Sequence, residues 1–365
     1  MTVSITRPAK RRPTFHRLAV VDVERLTDDA VAVTFDVPPK LRPVFEFRAG
    51  QHLTVRREEI RRSYSICSTP AALAEEGVLR IGIKRVPDGA FSTFALSELA
   101  PGDEVDVMPP LGHFTSAFSA ERTRHYAGVV AGSGITPVLS LVATALAVEP
   151  GSRFTLIYGN RAAGTVMFAE ELADLKDRYQ DRLHVIHVLS REAQESPLLS
   201  GRLDQERIGR ILDALVPPGT VDEWFLCGPY GMVLDARVAL SVRGVPDAEV
   251  HTELFHVSDT PPVAAEEPTV SEGPGAEVTV VLDGRKSTFT MAHDERILDA
   301  AMRQRPELPY SCKGGVCSTC RAKIVEGEVE MARNFALEPE ELAAGYVLTC
   351  QAMPITERVV VDYDA

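Results

Sequence analysis

The amino-acid sequence predicts a multidomain protein with an antiparallel β-barrel, an α/β domain on a parallel sheet and a smaller α+β domain. Three observations predict this fold class. The 365 residues suffice for two or three domains. Near residue 122 the chain changes from short strand-like runs to apolar runs that alternate with helical ones. The stretch 256–275 is rich in Pro, Ser, Gly and acidic residues without periodicity, which indicates an interdomain linker.

The barrel is predicted over residues 1–121. From residue 15 onward, β-branched residues gather in short runs that Pro, Gly and Asp interrupt, a pattern typical of a small barrel. The runs are LAVVDVERL, AVAVTFDVP, HLTVRRE, RSYSICS and VLRIGIKRV.

The α/β domain is predicted over residues 122–255 and the α+β domain over residues 276–365. In the first, HYAGVVAG, RFTLIYGNR and LHVIHVLSR predict strands, while PVLSLVATALAVE and AEELADLKDRY predict helices between them. In the second, EVTVVLDGRKSTFTM predicts two strands and DERILDAAMRQ a helix, after which a cysteine-rich loop begins.

Composition excludes several classes of function. A formal charge of −13 and a pI near 5.3 argue against nucleic acid and against an anionic membrane surface as partners. The basic run RPAKRRP, Arg7 to Pro13, is short and is expected to be a solvated arm. No apolar run approaches the ~20 residues that span a bilayer, and the N-terminus lacks the apolar core of a signal peptide. These features predict a cytoplasmic protein.

Four of the six cysteines have the spacing C-x4-C-x2-C followed by one distant cysteine: Cys312, Cys317, Cys320 and Cys350. That is the plant-type spacing for a [2Fe-2S] cluster. A disulfide framework is typical of small secreted chains, and structural zinc prefers two C-x2-C pairs, of which this chain has one. Gly314 and Gly315 allow the loop to wrap closely and to aim backbone N–H groups at sulfur.

A nucleotide-binding turn is predicted at VVAGSGITPVLSL, where a strand ends and a helix begins. Gly132 and Gly134 permit a tight turn, and the helix N-terminus can hold a pyrophosphate. Pro137 stands where the third glycine of the usual G-x-G-x-x-G pattern would be. A G-x-G turn is weak evidence by itself, but the strand before it and the helix after it supply the required context.

The barrel contains two further elements that attract phosphate. In RRSYSICSTP, Arg62 and Tyr64 share one face of a strand, so that an arginine can neutralise phosphate while a tyrosine packs on a flat ring. In VPDGAFSTFALSEL, Gly89 makes a turn and Ser92 is expected to cap the following helix, which creates an anion site. An ordinary amphipathic strand is the alternative for the first element. Together with the dinucleotide turn, the two elements favour a flavin-binding barrel.

The motifs RSYS, DGAFS, AGSGITP, LIYGNR and CGP resemble, in this order, the ferredoxin–NADP reductase superfamily with a ferredoxin domain fused behind it. The resemblance covers nearly the whole chain and implies a β-grasp ferredoxin-like fold for the last domain. Within the superfamily, FRAGQHLTV, SGRLD, LPYSCKGGVCSTC and LEPEELAAGYVLTCQAMP resemble the reductase subunits of phenylacetyl-coenzyme A epoxidases.

The resemblance implies three sets of site residues. FAD would be bound by Arg62, Ser63, Tyr64, Ser65, Gly89 and Ser92. NADPH would be bound by Gly132, Gly134, Thr136, Pro137, Arg161, Ser190, Arg191, Gly228 and Pro229. Catalytic roles near flavin and nicotinamide would belong to Ser65, Cys227 and Glu253. Phe255 stands where some members have a tyrosine, and the phosphate contacts alone also leave FMN open.

The preference for NADPH over NADH depends on two strand ends. A fold that prefers NAD usually places Asp or Glu at the end of its second strand, but here Asn160 and Arg161 stand at that point. Ser190 and Arg191 match the positions that hold a 2′-phosphate in the superfamily.

The function implied is a relay from NADPH through FAD and a [2Fe-2S] cluster to a di-iron oxygenase, with phenylacetyl-coenzyme A as that oxygenase's substrate in aerobic phenylacetate degradation. From residue 276 onward, 15 acidic and 10 basic residues give a net charge of −5, which suits a basic acceptor surface. Two alternatives stay open: a reductase for an aromatic-ring or steroid oxygenase, and an iron–sulfur redox sensor or binding module. A sensor has no need of hydride, flavin and cluster sites in one chain.

Overall fold

The computed structural model describes residues 14–255 and 275–365. These residues belong to two compact units, one containing residues 17–255 and the other residues 14–16 and 275–365. The predicted basic arm lies outside the described residues, as does the predicted linker apart from Gly275. The predicted domain limits at residues 121, 255 and 276 stay predictions.

The first half of the larger unit is an antiparallel sheet that closes into a barrel. Its strands are β1 His16–Thr27, β2 Ala30–Asp36, β3 His52–Arg57, β4 Ile60–Ser65, β5 Val78–Lys84 and β6 Glu104–Leu111, and its helices are α1 Arg42–Phe45, α2 Pro70–Glu75 and α3 Ala90–Ser97. The strand order is β4-β3-β6-β1-β2-β5. An antiparallel bridge between Ile66 and Ile81 joins the end of β4 to β5, and this bridge closes the barrel.

Strand β2 shows how the barrel supports the next domain. Val31 and Val33 point into the barrel core, while Ala30 and Ala32 pack in the core of the neighbouring α/β domain. Gly82 of β5 is the strand partner of Ala32. A Cβ at Gly82 would lie 2.9 Å from Thr136 Oγ1, so the small residues on this outer face let the nucleotide-binding segment approach closely.

The second half of the larger unit is a parallel sheet covered by helices. Its strands are β7 His125–Ala131, β8 Arg153–Asn160, β9 Leu183–Leu189, β10 Glu223–Cys227 and β11 Val250–Glu253, its helices are α4 Ile135–Val148, α5 Ala169–Arg178, α6 Gln205–Leu215 and α7 Tyr230–Ser241, and its 3-10 turns are Gly132–Gly134, Ala163–Thr165, Pro197–Leu199, Pro218–Thr220 and Asp247–Glu249. The strand order is β11-β10-β7-β8-β9, with every neighbouring pair parallel. The carboxyl ends of these strands therefore meet at one edge, where ligands bind in such sheets.

The smaller unit is a mixed sheet packed on short helices. Its strands are β12 Ala276–Leu282, β13 Arg285–Met291, β14 Arg321–Glu326, β15 Val329–Met331, β16 Tyr346–Leu348, β17 Ala352–Pro354 and β18 Arg358–Asp362, and its helices are α8 Ile297–Met302 and α9 Pro339–Ala343. The main sheet has the order β13-β12-β18-β14-β16, and β15 pairs with β17. The central pair β12 and β18 is parallel, and its valines fill the core.

The strands and helices predicted from hydrophobic periodicity are present in all three parts, and the predicted fold class is confirmed. Helix α8 is shorter than the predicted DERILDAAMRQ, because Arg296 is extended and Leu298 N–H donates to Thr349 O instead of extending a helical ladder. Across residues 14–255 and 275–365, none of the helices is both long and apolar enough to cross a membrane.

Candidate functional site

The edge formed by the carboxyl ends of the parallel strands gathers the predicted nicotinamide site. Cys227 ends β10 and is the register partner of Glu253, which ends β11. Burial, with a smaller contribution from Glu253, raises the pKa of the Cys227 thiol well above its ordinary value. Cys227 is therefore a neutral, buried thiol at the sheet edge.

The glycine turn before α4 brings the backbone close to that thiol. A Cβ at Gly134 would lie 2.1 Å from the carbonyl oxygen of Cys227, so only glycine fits there. Gly132 has a φ of +55°, and a Cβ on it would have no atom within 4 Å, so the turn presents open backbone where a nucleotide could lie. The structure thus places Gly132 and Gly134 in different roles, an open left-handed turn for the first and close packing for the second.

The remaining residues predicted for this nucleotide loop are mainly structural in their visible contacts. Thr136 is buried, and its hydroxyl donates to Ser133 O at 2.8 Å, which closes the turn. Pro137 lies in the first turn of α4, where its missing N–H costs no helical hydrogen bond. Gly228 packs against Met232, with a Cβ position 2.7 Å from its Cε, and Pro229 is the N-cap of α7.

The predicted 2′-phosphate residues lie at the far side of the same sheet edge. Ser190 N–H donates to Asn160 O at 2.9 Å and Arg191 N–H to Arg161 O at 2.7 Å, so the pairing of β8 with β9 continues past the strand ends. Arg161 and Arg191 are joined through their backbones and both are exposed, and guanidinium groups are suited to binding phosphate. Asn160 is buried at this edge, where its side chain hydrogen-bonds with the Tyr158 phenol.

The distance between these two groups of residues fits a dinucleotide. Cys227 is on β10 and Ser190 follows β9, three strand positions away in the sheet order. Three inter-strand spacings amount to about 14 Å. An extended dinucleotide can therefore reach from the thiol to the arginines along the edge.

A buried carboxyl joins the barrel to the parallel sheet. Ser65 Oγ donates a hydrogen bond to Glu253 Oε2 at 2.8 Å, although 188 residues separate the two in sequence. Burial raises the pKa of Glu253 to about 8, and the hydrogen bond from Ser65 only partly opposes this effect. The carboxyl is therefore protonated at neutral pH, and its proton belongs on Oε1, since Oε2 accepts from Ser65.

His52 is a third member of this group that the sequence analysis did not identify. It is the strand partner of Ser65, and its Nδ1 lies 3.9 Å from Glu253 Oε1. Burial, together with nearby His113, lowers its pKa to about 4, and within the described residues its Nε2 has no hydrogen-bond partner. The sequence signal was a histidine inside the apolar strand HLTVRR, but only the register with β4 places it beside Ser65.

The flavin-binding residues predicted on β4 lie beside helix α3. Strand alternation puts Arg62 and Tyr64 on one face, as register partners of Val55 and Leu53. Arg62 is exposed, with one guanidinium N–H bonded to Arg61 O at 2.8 Å. Burial raises the pKa of the Tyr64 phenol, which therefore stays neutral.

Helix α3 completes this part of the barrel. The Tyr64 ring lies 5.7 Å from the ring of Phe91, which is the residue before Ser92. Ser63, the remaining predicted residue of β4, is half-buried and contacts Thr54 Oγ1 at 3.4 Å. The predicted flavin residues of β4 and α3 thus lie side by side, which fits a flat ring packed on tyrosine with phosphate near arginine.

The predicted cap of helix α3 is wrong in one respect. Gly89 is the N-cap, and Ser92 is buried in the first turn. The Ser92 hydroxyl accepts Val86 N–H at 3.1 Å and donates to Gly89 O at 3.0 Å, so it closes the loop onto itself. The first-turn N–H groups of α3, which have no partner inside the helix, remain suited to an anion.

The four cysteines of the smaller unit lie in two pairs. A side-chain hydrogen bond between Cys312 and Cys317 lowers the pKa of Cys317 to about 6 and raises that of Cys312. A side-chain hydrogen bond between Cys320 and Cys350 likewise raises the pKa of Cys320 and lowers that of Cys350. Cys312 is half-buried and the other three are at most 5% exposed.

This paired arrangement fits a two-iron cluster, in which each iron takes two thiolates. The loop also aims N–H groups at sulfur: Gly314 N–H donates to Cys312 Sγ at 3.3 Å and Cys312 N–H to Cys317 Sγ at 3.5 Å. Such donors stabilise thiolate charge.

Comparison with known proteins agrees with this division into three sites. The family model of an oxidoreductase FAD-binding domain matches residues 17–116, that of an oxidoreductase NAD-binding domain matches residues 129–237, and that of a 2Fe-2S iron-sulfur cluster binding domain matches residues 280–354. A component of the 1,2-phenylacetyl-CoA epoxidase of Escherichia coli K12 is 46% identical over 96% of this chain and 98% of its own length.

This chain belongs to the reductase family that includes that epoxidase component. The ferredoxin reductase component of the 3-ketosteroid-9-alpha-monooxygenase of Rhodococcus rhodochrous is 35% identical over 95% of this chain and 96% of its own length. The structure of phthalate dioxygenase reductase superposes with a TM-score of 0.58 over 95% of this chain and 98% of that chain, at 23% identity, and shares the fold. The protein is an FAD- and nicotinamide-dependent oxidoreductase with a [2Fe-2S] domain, as the sequence predicted.

Proposed function

We propose that this reductase takes electrons from NADPH and delivers them singly to a di-iron oxygenase that epoxidises the ring of phenylacetyl-coenzyme A. The observation that carries the proposal is the end-to-end 46% identity with the epoxidase component. The three site geometries along the chain support the relay itself. A cytoplasmic location remains a prediction.

The cofactors supply the redox chemistry: nicotinamide gives a hydride, a flavin accepts it and releases electrons one at a time, and an iron–sulfur cluster accepts them. On the barrel, Arg62 compensates phosphate charge and Tyr64 offers a neutral aromatic face. Ser65 and Glu253 hold a hydroxyl and a protonated carboxyl where barrel and sheet edge meet, and Cys227 fills that edge with an uncharged thiol. These neutral groups keep water and fixed charge away from the place where hydride moves.

The nucleotide preference depends on Arg161 and Arg191. Both are exposed at the ends of β8 and β9, and a guanidinium binds a phosphate dianion more strongly than a ribose hydroxyl. The neighbouring Glu192 is held on the loop after β8, where its Oε2 accepts Ala163 N–H at 2.8 Å. NADPH is therefore the preferred reductant.

The cluster end of the relay uses Cys312, Cys317, Cys320 and Cys350 as ligands. Cys312 is the most exposed of the four and lies beside Lys313, whose ammonium pairs with Asp299 at 2.8 Å. The acidic surface of the smaller unit suits a basic client and predicts electron delivery that slows as salt rises.

A different oxygenase is the second candidate client, because a ketosteroid monooxygenase reductase is 35% identical over nearly the same length. A redox sensor fits less well, since three complete sites on one chain have no role in it.

Reconstitution separates these candidates. The purified holoprotein is combined with NADPH, oxygen, phenylacetyl-coenzyme A and the di-iron oxygenase, and epoxide is measured by mass spectrometry. Turnover with this client, and at least tenfold less with steroid- or ring-hydroxylating oxygenases, is expected. Turnover only with a steroid- or ring-hydroxylating oxygenase would identify that oxygenase as the client. Reduction of ferricyanide without transfer to any oxygenase would contradict the relay's proposed end point.

The nucleotide preference is tested separately by kcat/KM for NADPH and NADH. We expect NADPH to be favoured, and Arg191→Ala to reduce that preference about tenfold, which corresponds to a charge-assisted hydrogen bond of about 1.4 kcal/mol. Arg210→Ala, an exposed arginine on α6, serves as the control. Equal use of both nucleotides by the wild type would show the assignment to be wrong.

A further inference from the structure

The side chain of Gln351 connects the two ends of the cysteine ligand set. Its Nε2 lies 2.8 Å from Lys313 O, 2.8 Å from Cys350 O and 3.5 Å from Cys350 Sγ. Lys313 follows Cys312 directly, so one amide group contacts both the first ligand segment and the last ligand. The side chain is 1% exposed, and none of the expected site residues included it.

The orientation of this amide follows from its neighbours. All three contacts are acceptors, so the NH2 group and not the carbonyl oxygen must face them. Two hydrogens serve three acceptors, so one hydrogen is shared, and Cys350 offers both a carbonyl oxygen and a sulfur. The N···S distance of 3.5 Å is within the range of a hydrogen bond to sulfur.

The surrounding backbone fixes Gln351 in this position. Its own N–H donates to Leu348 O at 2.8 Å, and its carbonyl accepts Ala332 N–H at 3.0 Å. Gly315 has a φ of +80°, and a Cβ there would lie 3.2 Å from Gln351 Cγ, so the glycine leaves the space that the glutamine stem occupies. The backbone is thus fixed, and the hydrogen bonds to Lys313 O and Cys350 O orient the amide toward the sulfur.

We propose that Gln351 is a positioning residue that raises the reduction potential of the cluster by donating an N–H to Cys350 Sγ while it holds the ligand loop to the C-terminal ligand. An N–H aimed at a ligand sulfur stabilises the extra negative charge of the reduced state, and hydrogen bonds to sulfur are one of the protein's means of setting such potentials. The amide is neutral, so this effect does not depend on pH. The inference rests on the proposed ligand set of four cysteines.

The experiment compares midpoint potentials of the full-length holoprotein by EPR-monitored redox titration with dithionite, which needs neither NADPH nor an oxygenase. Gln351→Leu and Gln351→Met keep the volume but lose the donor, and both are expected to shift the midpoint to a more negative value. Gln304→Leu, an exposed glutamine of the same unit, is expected to leave the midpoint unchanged. An unchanged midpoint in a variant with full iron and sulfide would overturn the proposal. A residue that only held the loop in place would affect the cluster content and not the midpoint.

If both variants lose the cluster, their midpoints cannot be compared, and the hydrogen bond is tested in the wild-type protein instead. Protein labelled with nitrogen-15 in glutamine side chains is reduced and measured by electron–nuclear double resonance. A nitrogen-15 coupling to the cluster supports the hydrogen bond to sulfur, and its absence overturns it. A wrong ligand set would instead show as a cluster that survives Cys320→Ser, so the two failures are distinguishable.

Discussion

The buried carboxyl of Glu253 and the buried thiol of Cys317 differ in the direction of their pKa shifts. Both are removed from water, which penalises charge. Glu253 has Ser65 as a hydrogen-bond donor and stays protonated, with a pKa of about 8. Cys317 accepts from Cys312 and from loop N–H groups, and its pKa falls to about 6. Burial disfavours charge on both groups, but the hydrogen bonds that Cys317 accepts lower its pKa, whereas the pKa of its partner Cys312 is raised.

The backbone explains why the donors differ. Glu253 ends the edge strand β11, whose backbone pairs with β10 in the sheet ladder. The cysteine loop is irregular, with Lys313 and Ser318 both at a φ of +51°, and its N–H groups are free of any ladder and can point at sulfur. The strand end keeps Glu253 neutral, whereas the irregular loop lowers the pKa of one thiol in each cysteine pair, Cys317 and Cys350.

The largest effect is expected when one thiol of the cysteine loop is removed. Cys320→Ser should reduce iron and acid-labile sulfide to background, because the pair with Cys350 loses one of its two thiols. Flavin content and ferricyanide reduction by NADPH should stay at wild-type values, since the carboxyl site is in the other unit. Cys67→Ser, at a buried barrel thiol, is the control and should keep the cluster. A variant with full sulfide content would contradict the ligand set.

The second effect is on stability at the neutral site. Between pH 4.5, which is the ordinary pKa of a glutamate, and about pH 8, native Glu253 holds a proton that the unfolded chain has lost. The free energy of unfolding therefore falls as pH rises through this window, by about 1.4 kcal/mol per pH unit for this group. Glu253→Gln removes the titration, so its Tm advantage over the wild type should grow from pH 5 to pH 8 and then level off.

The histidine beside this carboxyl changes the free energy of unfolding with pH in the opposite direction. His52, with its pKa lowered to about 4, makes stability rise with pH between about 4 and its ordinary 6.5. That contribution is present in wild type and variant alike and is expected to cancel in their difference. Glu195→Gln, at an exposed position, should show a difference that is flat with pH. A flat difference for Glu253→Gln as well would mean that Glu253 is ionised in the native protein.

The third effect tests the single donor of the neutral site. Ser65→Ala leaves Glu253 Oε2 without its hydroxyl donor. An unsatisfied buried polar group costs about 1–3 kcal/mol of free energy. Stopped-flow bleaching of the flavin by NADPH should slow by roughly 10- to 100-fold, while Ser65→Thr, which keeps a hydroxyl, should recover most of the rate. Bleaching of Ser65→Ala within twofold of the wild type would remove Ser65 from the catalytic set.

The smallest effect concerns the Tyr363 hydroxyl, which reaches the backbone of the ligand Cys320 through the hydroxyl of Thr349. Tyr363 OH donates to Thr349 Oγ1 at 2.7 Å, and Thr349 Oγ1 donates to Cys320 O at 2.9 Å. Tyr363→Phe should lower the free energy of unfolding by about 1 kcal/mol, measured by denaturant titration, and leave the midpoint potential unchanged. A shifted midpoint would show that carbonyl contacts, as well as donors to sulfur, set the potential.

Much of the fold and part of the site could be predicted from sequence. The strands of the barrel and of the parallel sheet follow from their apolar runs, and the G-x-G turn and the cysteine spacing follow from local chemistry. Ser92 was misassigned as a cap because its type suits that position, whereas Gly89 takes it and Ser92 closes the loop. His52 and Gln351 were missed because neither has a local pattern; their importance comes from strands and loops distant in sequence.

The sequence by itself determined which chemistry the chain can hold: four thiols at the [2Fe-2S] spacing and a glycine turn between strand and helix. These are local properties, set by residue type and spacing. Tertiary structure alone decided the charge states and partners, because Ser65 meets Glu253 across 188 residues and Gln351 meets Lys313 across 38. Desolvation and hydrogen bonding act through space, so the same carboxyl or amide has a different role in each packed environment.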